Sequence, residues 1–152
     1  ALHKKYGANP DPLVLTRVKE EWSFLYKYHS IEDAWKDSPE QQAIVSFAFI
    51  HDLCRWLRHN NYPYWNRGTG ASSFILYLLD VTFVNPLPAH YHCPHCHQIY
   101  WKHNEYKDGF DLPQTAKCKH DNTPLIADGH NIPWQSLLKY PTHAFHFDID
   151  NT

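Results

Sequence analysis

Cys93-Pro94-His95-Cys96 and Cys118-Lys119-His120-Asp121 are the residues of this sequence best suited to holding a metal ion. A Cys-x-x-Cys turn brings two thiolates to one tetrahedral zinc. The second segment repeats that spacing with a single cysteine. Asp121 stands where the fourth thiolate would be and could offer a carboxylate oxygen, and His120 just before it could offer an imidazole nitrogen. Cys93, Cys96 and Cys118 with Asp121, the preferred fourth ligand, or with His120 make a structural zinc site, because no open coordination position is implied. The rival reading is a set of reduced, metal-free thiols, since a cytosolic chain should not form disulfides. Cys54 lies inside a helical apolar pattern and reads as core.

Two further groups could handle phosphate. Arg67-Gly68-Thr69-Gly70-Ala71-Ser72-Ser73 places glycines and hydroxyls ahead of an apolar, helix-like run. Backbone N–H groups at a helix start, with nearby hydroxyls, form a phosphate-sized anion site, so Arg67, Gly68, Thr69, Ser72 and Ser73 are candidate nucleotide-binding residues. A Gly/Ser-rich turn without a ligand is the bland alternative. Asp148-Ile149-Asp150 sets two carboxylate residues on one face of a strand, the arrangement that holds paired Mg²⁺ ions in phosphoryl transfer. An exposed acidic strand end is its bland counterpart.

The elements that must position these groups are partly legible. Asp11-Pro12 opens a helix with Pro at its first position, and Leu15, Val18, Trp22 and Leu25 fall on one face. Ser38-Pro39-Glu40-Gln41 has the form of a capping box. It starts a longer helix through Ile44, Phe47, Phe49, Leu53 and Trp56, ending near Asn60-Asn61. Tyr62 to Trp65 reads as a short strand and Ser72 to Leu79 as a helix. From 86 to 143 prolines, cysteines and histidines concentrate, and the segment reads as an irregular, metal-organised subdomain with a short helix after Pro133. The period-two run from Phe145 to Asp150 directs Phe145, Phe147 and Ile149 to a core and His146, Asp148 and Asp150 to the other side. The resulting divisions are 1–85, 86–143 and 144–152, in an α+β fold.

Composition narrows the function classes. At 152 residues, 43% hydrophobic and 20% charged, with mean hydropathy −0.60, the chain reads as one soluble globular domain. No apolar run approaches the ~20 residues that span a bilayer, and Ala1-Leu2-His3-Lys4-Lys5 is no signal peptide, so the cytoplasm is the expected compartment and no membrane partner is expected. A net charge of −2 argues against strong stand-alone DNA binding, although 13 histidines would add positive charge in acid. Aromatic residues make up 16% of the chain and read first as core, second as base-stacking surfaces.

Several short segments, in one order, resemble the bacterial PolC-type DNA polymerase III alpha subunit at the start of its palm domain. They are Tyr6-Gly7 with the helix at Asp11, Val84-Asn85-Pro86-Leu87-Pro88-Ala89-His90-Tyr91, Cys93 to Cys96, Gly109-Phe110-Asp111-Leu112-Pro113, Thr123-Pro124-Leu125, Asp128-Gly129-His130-Asn131-Ile132-Pro133 and Asp148-Ile149-Asp150. The resemblance implies a nucleotidyltransferase palm of the polymerase-beta type acting in DNA replication. It implies a loop at Arg67 to Ser73 facing the triphosphate, and Asp148 and Asp150 binding catalytic magnesium. A zinc motif lies between them, and the implied partners are DNA, deoxynucleotides and other replication proteins.

The departures from that family are specific. Where the family reads Gly-Ser-Arg-Gly-Ser-x-Gly-Ser-Ser, this chain has Trp65-Asn66-Arg67-Gly68-Thr69-Gly70-Ala71-Ser72-Ser73, so Trp65 and Ala71 replace glycines where a Cβ restricts φ and close approach. Asp121 replaces the fourth zinc cysteine. The family's third catalytic carboxylate and its fingers lie beyond the matched region. The expectation is a palm and zinc fragment, or a truncated relative, that makes no DNA by itself. The alternative is a degenerate palm acting as a zinc-stabilised module that binds DNA or a replication protein.

Overall fold

Asp11 starts the first long helix as its sequence implies: its Oδ1 accepts the Leu13 amide at 2.9 Å, and Pro12 fills the first turn, where no N–H is needed. In the computed structural model, which describes residues 1–27, 39–134 and 148–150, the helices are α1 (Leu2–Tyr6), α2 (Pro12–Lys27), α3 (Pro39–His59) and α4 (Phe74–Leu78). The strands are β1 (Trp65–Arg67), β2 (His90–His92), β3 (Ile99–Trp101), β4 (Ile126–Asp128) and β5 (Asp148–Asp150). Helices and small antiparallel sheets make an α+β structure. No helix among the described residues is long and apolar enough to cross a membrane.

The inward face of α2 differs from the one its apolar residues mark. Val14, Arg17, Val18 and Glu21, at helical spacing, face the interior, while Trp22 is 48% exposed. The stripe is rotated because two of its four members are charged and satisfy each other. In α3, among the residues whose side chains are described, Phe47, Ile50 and Cys54 are buried, with Leu53 and Leu57 alongside. Phe49 and Trp56 lie on the opposite face and are exposed. The side chains of Leu25 and Ile44, the helix after Pro133 and the strand residues Phe145 to Phe147 lie outside the described residues.

Helix α3 ends where Asn61 takes φ 56°, a left-handed conformation that Asn tolerates. The next strand comes later than Tyr62 to Trp65: Pro63 has no N–H for a ladder, and Tyr64 turns its ring into the core instead. The Tyr64 hydroxyl accepts from Arg58 and donates to the Asp80 carbonyl at 3.0 Å. The helix expected over Ser72 to Leu79 is a 3-10 turn (Gly68–Ser72) followed by α4. Ser73 caps α4, its hydroxyl accepting from the Leu76 amide at 3.2 Å. Phe74 and Leu78 pack with Tyr6, Val14, Leu87 and Ile99, whereas Leu76 packs with Phe47, Ile50, Cys54, Tyr64 and Val81. The short α4 therefore joins two cores.

Beyond α4 the Pro-rich strap runs beside residues 130–132. Carbonyls of Asn85, Pro86 and Leu87 accept the amides of His130, Ile132 and Asn131 at 2.9–3.0 Å. Proline cannot donate to such a pairing but can accept, which is how Pro86 is used here. The strap leads into a three-stranded antiparallel sheet of order β3-β2-β4. A third core of Ala89, Tyr91, Cys93, Leu112, Cys118 and Leu125 backs this sheet and carries the cysteines. β5 pairs separately with β1.

Candidate metal centre

Two turns of the same design face each other. In the first, the Cys93 amide donates to Gln98 O at 2.9 Å, the His97 amide returns to Cys93 O at 3.0 Å, and His97 has φ 61°. In the second, the Cys118 amide donates to Thr123 O at 2.8 Å, the Asn122 amide returns to Cys118 O at 3.0 Å, and Asn122 has φ 59°. Cys96 is the fourth residue of the first turn and Asp121 the fourth of the second. Asp121 thus takes the backbone position that Cys96 has in its own turn.

The side chains converge accordingly. One ligand atom each from Cys93, Cys96, Cys118 and Asp121 lies within 4.8 Å of the others. Cys96 Sγ and Cys118 Sγ are 3.6 Å apart, and Cys93 Sγ is 3.9 Å from both Asp121 oxygens. Two thiolates on one zinc, with Zn–S near 2.3 Å, would stand roughly 3.8 Å apart. The donor set therefore fits a tetrahedral metal ion. His120, the other candidate, is exposed and outside the cluster.

Outer contacts orient the carboxylate. The Thr123 amide donates to Asp121 Oδ1 at 3.1 Å, and His95 Nδ1 lies 2.7 Å from Oδ2. The Thr123 amide first, and His95 after it, hold the Asp121 carboxyl well below the usual carboxylate range. Asp121 is consequently an anion, as a metal ligand must be. His95, inside the Cys-x-x-Cys turn, ties the two turns together.

The loop expected to cradle phosphate has an internal anion at its helix start. Glu21, fully buried, accepts the Phe74 amide at 2.8 Å through Oε1, and the Ile75 amide at 3.0 Å and the Ser73 hydroxyl at 2.9 Å through Oε2. Arg17 Nε pairs with Glu21 Oε1 at 2.7 Å, and its Nη2 donates to Ser72 O and Ile132 O at 2.7 and 3.1 Å. Ser72 and Ser73 are buried. Gly68 takes φ 77°, while Gly70 lies against Asn66, whose Oδ1 would stand 2.7 Å from an added Cβ. Arg67 and Thr69 belong to β1 and to the 3-10 turn. Glu21 and Arg17 escape a sequence reading because their partners are more than 50 residues away; their one local signal is the i, i+4 charge pair.

The aspartates come to the same place through the backbone. In the antiparallel pairing of β1 with β5, Arg67 is the register partner of Asp148 and Trp65 that of Asp150. The loop start and both aspartate positions thus share one two-stranded ribbon, although 80 residues separate them in sequence.

Comparison with known proteins supplies the context. Residues 1–148 match the family model described as the bacterial DNA polymerase III alpha NTPase domain. The chain is 38% identical over 97 residues to a PolC-type DNA polymerase III of Bacillus subtilis, covering 63% of this chain and 7% of that protein. It is 33% identical over 137 residues to the PolC-type enzyme of Ureaplasma parvum, covering 90% and 8% respectively. With that of Listeria innocua the figures are 34% over 144 residues, 91% and 9%. The chain thus spans less than a tenth of the length of these relatives.

Proposed function

The chain belongs to the family described as the bacterial DNA polymerase III alpha NTPase domain, and from that premise we propose that it is the palm and zinc segment of a PolC-type replicative polymerase. The palm is of the polymerase-beta type, and the subdomain from 86 to 143 is organised by zinc. Cys93, Cys96, Cys118 and Asp121 hold that zinc, which cross-links the two turns. Asp148 and Asp150 hold magnesium and the loop at Arg67 to Ser73 faces the nucleotide, in the cytoplasm, when the remaining polymerase and primed DNA are present. The observation that carries the reading is the convergence of three sulfurs and one carboxylate within 4.8 Å, in a chain that matches the family over residues 1–148.

By itself the chain makes no DNA. Glu21 already occupies the α4 amides, and the chain corresponds to 7–9% of its relatives' length. Elemental analysis of protein purified without added metal tests the zinc assignment. At least one zinc per chain, with one fewer in Cys96→Ser, agrees with it; a zinc-free protein contradicts it.

The alternative, a zinc-stabilised module that binds DNA or a replication protein, draws on one surface feature. Trp56 and Tyr62 stack at 5.5 Å, both more than half exposed, and Arg55 and His59 line the same shallow surface as Trp56. Such a pair can stack on unpaired bases. Quenching of tryptophan fluorescence by a single-stranded oligonucleotide, abolished in Trp56→Ala, would favour this reading over the first.

A further inference from the structure

His90 and His92 lie two residues apart on β2, so both are on the same face of the strand. β4 runs antiparallel beside it, and Asp128 is the register partner of His90. Cross-strand partners hold their Cβ atoms about 4.5–5.5 Å apart. The sheet therefore brings two imidazoles and one carboxylate together, and one ligand atom from each lies within 4.8 Å of the others. This cluster is distinct from the cysteine centre, although Cys93 directly follows His92.

The imidazoles are unusual in what they lack. His90 is fully buried, and its Nε2 has no hydrogen-bond partner among the described residues; nor has Nδ1 of His92. Buried polar atoms are nearly always paired, so two bare ones side by side need a reason. His90 Nδ1 lies 2.7 Å from the Pro88 carbonyl. A carbonyl can only accept, so Nδ1 carries the proton, and in the neutral ring Nε2 keeps its lone pair. A histidine that ligates a metal through one nitrogen and donates to a carbonyl from the other is the usual outer-shell arrangement.

Asp128 is prepared in the same sense. Its Oδ2 accepts from Asn85 Nδ2 at 2.7 Å and from the Tyr77 hydroxyl at 2.9 Å, and its Oδ1 accepts the Gly129 amide at 2.8 Å. Three accepted bonds out of roughly four lone-pair sites leave one free. Tyr6 completes the support, its hydroxyl accepting from Asn85 at 3.1 Å. Gly129, at φ 90°, makes room: a Cβ there would stand 2.3 Å from Pro88 O and 2.8 Å from His90 Nδ1.

We propose that His90 Nε2, His92 Nδ1 and the Asp128 carboxylate form a second metal site, taking a zinc-class divalent transition ion. Two imidazole nitrogens and one carboxylate oxygen suit such ions better than magnesium or calcium. Ligands at 2.0–2.1 Å on a tetrahedral ion stand about 3.4 Å apart, so side-chain rotations close the set. Three protein ligands leave a fourth position for water, reached past the half-buried His92 and Asp128.

Zinc titration of the chain, with cobalt(II) as a spectroscopic probe, tests this. The expected result is two metal ions per chain. The first gives the intense sulfur-to-cobalt charge transfer of the cysteine centre, and the second adds only weak visible bands without it. His92→Ala loses the second ion and keeps the first, and Tyr77→Phe weakens the second about 10-fold or more. A single ion per chain overturns the proposal, as does a second ion unaffected by His92→Ala. Should that variant not fold, ¹⁵N-histidine spectra of the unaltered chain decide. The second zinc equivalent must move the His90 Nε2 and His92 Nδ1 resonances, and unmoved resonances overturn the site. Loss of the first ion in Cys96→Ser reports separately on the cysteine centre.

Discussion

The Glu21 carboxylate accepts the Ser73 hydroxyl at 2.9 Å and, with it, the first amides of α4. A side chain of the protein thus sits where a bound anion would sit at a helix start. Glu21 is fully buried and its Arg17 partner nearly so. Removing one member of such a pair leaves a buried charge uncompensated, typically costing about 3–5 kcal/mol. Glu21→Ala should lower unfolding stability by that amount in urea titrations, and formate, a small carboxylate, should restore more of it than it adds to the unaltered protein. A loss below about 1 kcal/mol would show that the amides find other partners.

Free nucleotides should bind weakly. An anion held by one Arg and a few amides in open solvent gains about 1–3 kcal/mol, corresponding to a dissociation constant weaker than millimolar. Calorimetric titration with a deoxynucleoside triphosphate and Mg²⁺ should therefore show no saturation. Micromolar binding that vanishes in Arg67→Ala would restore a preformed nucleotide site.

The purified chain should extend no primer, because two-metal phosphoryl transfer needs an aligned primer terminus and a complete carboxylate set. Synthesis abolished by Asp148→Ala with Asp150→Ala would contradict that.

Gly129→Ala should be severe for its size. The φ of 90° is strained for any side chain, and the added Cβ would meet Pro88 O at 2.3 Å. Strain alone costs about 1–3 kcal/mol, so thermal unfolding should fall by several degrees. An unchanged midpoint would mean that the Pro88 strap yields freely.

These outcomes separate what the sequence could disclose from what it could not. Pro12 marks a helix start because proline's missing N–H is tolerated there, and α2 begins at it. The cysteine spacing singled out three thiols that the structure gathers with Asp121, since a Cys-x-x-Cys turn is local. Which of His120 and Asp121 lies in the cluster needed the turn itself: the left-handed residue after Asp121 makes it the counterpart of Cys96. Glu21 is not legible from apolar periodicity, because the core-facing stripe of α2 is half charged. Trp22, which the apolar pattern put on one face with Val18, is exposed instead. His90 and His92 carried a readable sign, two histidines at strand spacing, but Asp128 joins them only through the β2–β4 register.

Chelation should loosen the chain in a definite order. The turns at Cys93 and Cys118 meet at the candidate ligands and His95 and share a small apolar cluster, whereas α2 and α4 are held by Glu21 and a separate core. Hydrogen exchange after chelator treatment should rise first between Pro88 and Pro133. Simultaneous loss of protection in α2 would show that one cooperative unit spans both parts.

X-ray absorption at the zinc edge of the His92→Ala protein, loaded with one zinc per chain, tests the central assignment most directly. The account predicts three sulfur neighbours near 2.3 Å and one oxygen near 2.0–2.2 Å, with a sulfur lost in Cys118→Ser. A shell of nitrogen and oxygen alone, or no retained zinc, would contradict it.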